Sequence, residues 1–357
     1  MKLLSPLEQT LQLKNKVVMA PMTRSRASQD HIPTDIMVTY YEQRAGAGLI
    51  ITEGTSPSPN GVGYARIPGI YNAAQIAGWK KITDAVHKKG GRIFLQLMHT
   101  GRISHPENMP EGAKVVAPSP LAPKDTKMYV DGKGELAIPE PKEMSQNDIE
   151  IAISEYVSAS ENAIEAGFDG IELHAANGYL LEQFINPTAN KRTDKYGGST
   201  ENRARIVLDV AKKTIAAIGA DKVGIRLSPN GAFNDVGPFE GQEETFDYLT
   251  EKLNELGLVY VHLVNHESMG ALPLPSGIRE SIRDKFDGLL ILSGGYDKER
   301  AEADLQGNKG DLVAFGRPYV ANPDLVKRFE KDAEIQEPKM DLLYTPGEEG
   351  YTDYASL

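Results

Sequence analysis

The chain has 357 residues, no cysteine and a formal net charge of −11. The missing cysteines exclude disulfides, thiolate catalysis, zinc ribbons and cysteine-ligated iron–sulfur clusters. The acidic balance, without a basic block, argues against nucleic acid or an anionic membrane as a main partner, and no apolar run is long enough to span a bilayer.

The start, "MKLLSPLEQ", breaks at Ser5-Pro6, too soon for a signal peptide, so a soluble cytoplasmic protein is expected. "KLLSPLEQTLQLKN" is expected to cap the bottom of the fold. Strands are predicted at "VVMAPM" (17–22), "LIITEG" (49–54), "RIFLQLMH" (92–99) and "GIELHAA" (170–176). Four more follow at "VGIRLSP" (223–229), "YVHLVN" (260–265), "LLILSGG" (289–295) and "LVAFGR" (312–317). Nearly continuous apolar runs suit parallel strands covered on both faces.

Between the strands, Ile76, Trp79, Ile82 and Val86 share one helix face, and Gly90 is a natural stop. Ser145 and Asp148 make a capping-box pattern before Ile149, Ile153, Tyr156 and Val157, and Gly167 ends that helix. Ser199 or Thr200 can cap "ENRARIVLDVAKKTIAAIG". Eight strand–helix units predict one (β/α)8 barrel over residues 1–357. A doubly wound sheet is the rival, disfavoured because nothing marks a second domain. Residues 100–145, rich in Pro and Gly, are too long for a plain connection and read as an inserted lid or excursion after the third strand.

In such a barrel the strand ends converge at one face. They bring Pro21, Met22, Thr23, Gly54, Gln96, His99, His174, Asn177, Tyr179 and Arg226 together with Ser293-Gly294-Gly295 and Gly316-Arg317. The last two loops occupy the usual barrel phosphate site, with unobstructed backbone N–H groups and a fixed cation; the alternative is two tight turns and a surface arginine. Arg226 and Gln96 suit the edge of a planar polar ring, or else are satisfied by Glu53 and Glu172. His174 and Asn177 can donate to one oxygen, and Tyr179 holds a phenolic proton: a set able to stabilise an enolate and protonate its carbon. His99, His174, His262 and His266 lie near strand ends, but no H-x-H pair or terminal Asp supports a metal site. No strand ends in the lysine of a Schiff-base aldolase.

With "MAPMTR", "QLMHTGRISH", "GFDGIELHAANGYLLEQFINP", "NKRTDKYGGSTENR" and "AFGRPYVANPDL" in this order, the chain resembles the Old Yellow Enzyme family of FMN-dependent ene-reductases. The resemblance implies tightly bound FMN, with NADPH or NADH as hydride donor, and reduction of the activated C=C bond of an enone or nitroalkene in a ping-pong cycle. It puts Pro21, Met22 and Thr23 against the flavin, with the Thr23 hydroxyl at the C4 carbonyl. Gly54 and Gln96 would contact the ring, and Arg226 would sit by N1 and the C2 carbonyl. Ser293, Gly294, Gly295, Gly316 and Arg317 would hold the phosphate. His174 and Asn177 would grip the substrate carbonyl or a phenolic ligand, and Tyr179 would give the proton. Tyr64, Met98 and Tyr351 are expected to shape the pocket.

Asp194, Tyr196, Gly197, Gly198 and Arg203 would be structural. Asn177 stands where many relatives have a second histidine, Met98 where several have tryptophan, and Thr23 where one subgroup has cysteine. A non-redox isomerase or aldolase acting on a phosphorylated substrate, or a silent flavin-binding barrel, are the alternatives.

Overall fold

The computed structural model describes residues 1–357, except the side chain of Ser276. Eight parallel strands close a barrel: β1 (Val17–Met19), β2 (Leu49–Ile51), β3 (Ile93–Leu97), β4 (Gly170–Ala175), β5 (Val223–Leu227), β6 (Tyr260–Val264), β7 (Leu289–Ser293) and β8 (Leu312–Phe315). Closure is made where Val17 pairs with Val313. Each strand sits at its predicted apolar run but stops one to three residues before the run ends. Those last residues leave the ladder and form the mouth.

The continuous runs follow from two buried faces. In β1, Val17 and Met19 face the helical shell, while Val18 points inward with Leu49, Ile51, Phe94 and Tyr260. Below them the N-terminal segment closes the barrel. Leu7 and Leu13 exchange two backbone hydrogen bonds of 2.8 Å, and Leu7, Leu11 and Leu13 pack on the inward cluster. Burial of Leu13 alone contributes on the order of 2 kcal/mol.

Helix ends follow the local chemistry. Ser145 and Asp148 form a reciprocal capping box at the start of Gln146–Glu165, whose buried face includes Ile149, Ile153 and Tyr156. Ser199, not Thr200, caps Thr200–Ile218 through the backbone N–H of Asn202. Gly90 and Gly167 both lie just past helix ends with left-handed backbone.

Residues 100–145 carry two small ladders. Val116–Ala117 pairs with Lys142–Glu143, and Lys127–Val130 forms a hairpin with Gly134–Ala137. The hairpin reaches the barrel mouth, where Lys127, Tyr129 and Glu135 line its opening.

A second cover comes from residues 340–351. Arg24 donates to the carbonyls of Leu343 and Gly350, and Arg26 donates to those of Leu342, Leu343 and Glu349. Buried guanidiniums satisfied by backbone oxygens hold this strap without a carboxylate partner of their own.

Candidate active site

The strand ends surround one cavity of about 1780 Å³ at the C-terminal face of the barrel. Pro21, Met22 and Thr23 follow β1, Gly54 follows β2, and Gln96 and Met98 come from β3 and its end. His174 is in β4, and Asn177 and Tyr179 follow it; Arg226 is in β5. Ser293, Gly294 and Gly295 lie at the end of β7, and Gly316 and Arg317 follow β8. All these predicted residues, with Tyr64, line the same space.

Tyr351 does not. It is 0% exposed and stacks on Tyr40 with ring centroids 4.1 Å apart, with Arg24 and Arg26 over its ring. Cation–π and stacking contacts draw it beneath the strap, and the strap presents Tyr344 to the cavity instead. His99 is also withdrawn: its Nδ1 accepts from Gly101 N–H, and burial pushes its imidazole down to about 3.

His174 is buried, and its Nδ1 accepts from the Ala176 backbone N–H at 3.3 Å. The tautomer this implies carries the ring proton on Nε2. Burial, then Arg226, His262 and His266, drive the imidazole well below its ordinary pKa, so it is neutral. The result is a neutral N–H donor, the state suited to hold a carbonyl oxygen without protonating it.

Asn177 adopts left-handed backbone, φ 57°. Its N–H donates to Ser228 Oγ at 2.9 Å, its carbonyl accepts from Asn234 Nδ2 at 2.7 Å, and Ser228 donates to Glu182. The main chain is thus tied on both sides, while the side-chain Oδ1 has no partner. Asn tolerates this conformation better than most residues, which makes it suited to the turn as well as to donation.

Tyr179 begins the short helix Leu180–Ile185 and lies edge-on to His174, with ring centroids 4.9 Å apart. Its hydroxyl is 2.9 Å from that of Tyr64. Burial raises its phenol above the ordinary value, so it is protonated at neutral pH.

Arg226 is buried with Nε unpartnered. Gln96 donates to Glu172 at 2.7 Å. The alternative in which barrel carboxylates satisfy both residues therefore holds for Gln96 alone, and by Glu172; Glu53 instead accepts from Tyr41 and the Arg24 backbone. At the far side, Gly294 has φ 127°, and a Cβ there would lie 2.0 Å from the Asn265 carbonyl oxygen. Only glycine fits that turn. Among the described residues no three His, Asp or Glu side chains gather in a metal-binding group.

Sequence reasoning missed Phe233, Asn234 and Tyr344 as lining residues. Asn234 and Tyr344 lie on irregular segments without periodicity, so nothing in the local pattern placed them. No helix among the described residues is long and apolar enough to cross a membrane.

Residues 2–336 match the model of the NADH:flavin oxidoreductase / NADH oxidase family. The chain belongs to this family, the Old Yellow Enzyme group. Among its flavin oxidoreductase relatives is a probable flavin mononucleotide-dependent alkene reductase of Leishmania infantum, 39% identical, with 96% of this chain and 93% of the relative covered. A 12-oxophytodienoate reductase 1 of Oryza sativa subsp. japonica is 41% identical, with 97% and 90% covered. Among solved structures, morphinone reductase superposes with a TM-score of 0.96 at 43% identity, covering 99% of this chain and 96% of the other. The Old Yellow Enzyme homologue of Zymomonas mobilis gives 0.95 at 37% identity, covering 100% of both chains.

Proposed function

We propose that the chain is an FMN-dependent ene-reductase. It takes hydride from NADPH or NADH and reduces the activated C=C bond of an α,β-unsaturated carbonyl or nitroalkene, one after the other at a single site. The observation that carries this reading is the meeting of a neutral His174 donor, the Asn177 amide and the protonated Tyr179 phenol at one cavity. Relatives named as an FMN-dependent alkene reductase, and a morphinone reductase solved with tetrahydroNAD, support it.

The residues present fit FMN. The buried Arg226 guanidinium, with its unpartnered Nε, offers a cation where negative charge collects on a reduced ring. Thr23 would add a hydroxyl and Gln96 an amide, and Pro21, Met22 and Gly54, which line the same cavity, would lie against the ring. Ser293, Gly294, Gly295, Gly316 and Arg317 suit the phosphate, with backbone N–H groups and one guanidinium. When bound, the flavin supplies the two-electron chemistry; the protein supplies orientation and electrostatics.

His174 and Asn177 grip the substrate oxygen and stabilise the charge that gathers on it as the β-carbon receives hydride. Tyr179 delivers its phenolic proton to the α-carbon. Tyr64 and Met98 bound the substrate space, and the exposed Tyr344 lies at its rim. The family does not favour a non-redox isomerase or aldolase.

An anaerobic titration with a para-substituted phenol tests the reading. A long-wavelength charge-transfer band is expected as phenolate stacks on the bound flavin with its oxygen between His174 and Asn177. Purified protein without blue absorbance, even after soaking in FMN, overturns it.

A further inference from the structure

Beneath the cavity floor the barrel holds two buried ionisable groups, Glu172 and His262, that the chemistry above does not use. Glu172 in β4 is 0% exposed and does not line the cavity. One carboxylate oxygen accepts from Gln96 Nε2 at 2.7 Å, and the other accepts from His262 Nδ1 at 2.8 Å. The strand register explains the meeting: Gln96 pairs with Glu172 across β3 and β4, and Arg226 pairs with both His174 and His262 across β4, β5 and β6. Gly224, the register partner of Glu172 in β5, leaves room for the Tyr260 ring, which a Cβ there would meet at 2.2 Å.

A barrel interior is normally filled with branched apolar side chains. An acid placed there has to be ionised and fully partnered, or else neutral. Burial pushes the Glu172 carboxyl up, but His262, Arg226 and Gln96 more than offset this and leave it below the usual carboxylate range. With a donor on each carboxylate oxygen and the Arg226 charge in the adjacent layer, Glu172 is held as the anion one layer under the floor. Two consequences follow from its bonds. Gln96 must turn its NH2 group down toward the carboxylate, which leaves Oε1 as the acceptor presented to the cavity. His262 must carry its proton on Nδ1, and its Nε2 is left without a partner.

We propose that Glu172 is a positioning residue that sets both the orientation of the Gln96 amide and the redox potential of the cofactor above it. This rests on the FMN reading. Arg226 favours electron density on the ring; the Glu172 charge partly cancels that attraction and holds the potential down. The pair lets the barrel carry a strong cation against the cofactor without making the reduced state too stable to give hydride away.

The test is the midpoint potential and the affinity of bound FMN in three proteins. Wild type must first bind FMN, which separates failure of this inference from failure of the functional reading. Glu172→Gln removes the charge and keeps the shape. It is expected to raise the affinity for reduced over oxidised FMN by at least tenfold, about 30 mV for a two-electron couple. Glu172→Asp keeps the charge but loses the reach to Gln96. It is expected to weaken FMN binding by tenfold or more with the potential near wild type. A folded Glu172→Gln protein with the wild-type potential overturns the electrostatic role. If that variant does not fold, a Glu172→Asp protein with wild-type FMN affinity overturns the orienting role.

Discussion

The phenolic oxygens of Tyr64 and Tyr179 stand 2.9 Å apart, so the proposed proton donor is itself hydrogen-bonded to a second, half-buried phenol. Burial raises the Tyr179 phenol, while the bond from Tyr64 works against that rise. Tyr179→Phe is expected to slow enone reduction by roughly 10²–10⁴-fold, the usual worth of a positioned acid. Flavin reduction by nicotinamide should persist, because that half of the cycle needs no proton from Tyr179. Rapid-mixing measurement of the two half-reactions checks this; equal loss in both rejects the role. Tyr64→Phe should give a smaller loss, confined to the same half-reaction.

The His174 ring accepts from the Ala176 N–H, whereas Asn177 is tied through its own main chain to Ser228 and Asn234, so truncating the Asn177 side chain leaves these bonds in place. Loss of one oxyanion donor costs roughly 10²–10³-fold in rate. The double substitution His174→Ala with Asn177→Ala should lower phenol affinity at least as much as either alone, and abolish the charge-transfer band. An unchanged band in the double variant would show that the ligand oxygen lies elsewhere.

The proposed phosphate end depends on backbone shape. Gly294→Ala forces a Cβ onto the Asn265 carbonyl at a φ of 127°, a conformation that alanine resists. The substituted protein should lose thermal stability and release FMN on dialysis. Arg317 is exposed at the rim, so Arg317→Ala should weaken FMN retention while leaving the melting temperature of the apoprotein near wild type. Full occupancy of Arg317→Ala after dialysis would argue against its phosphate role.

Glu182 supplies a pH test. Burial, opposed by hydrogen bonds from Gly178 N–H and Ser228, raises its carboxyl to about 7. The folded chain then holds a proton more tightly than the unfolded chain does. Its contribution is fully present below the ordinary carboxylate pKa and is lost as pH rises to about 7, on the order of 3 kcal/mol. Glu182→Gln mimics the protonated form. Denaturant melts should show wild type losing ground to Glu182→Gln between about pH 5 and pH 7.5; parallel curves would contradict the raised pKa.

Much of this was legible in the residues. The eight strands were readable because parallel strands buried on both faces leave continuous apolar runs, and the strand-end residues were readable because a barrel projects them to one place. His174, Asn177 and Tyr179 declared themselves by close spacing. What stayed hidden depended on long-range contact. Tyr351 carries no local sign of the Tyr40 ring and the two arginines that take it out of the cavity. Tyr344 carries none of its place over the mouth. Glu172 was visible only as one of two carboxylates that could satisfy Arg226 and Gln96; its bond to His262 required the register of β4 to β6.

The strap over the mouth ties residues 24 and 26 to carbonyls between 342 and 350. During vectorial synthesis the first of these partners leaves the ribosome more than 300 residues before the second. All eight staves of the barrel can therefore be in place while its rim is still open.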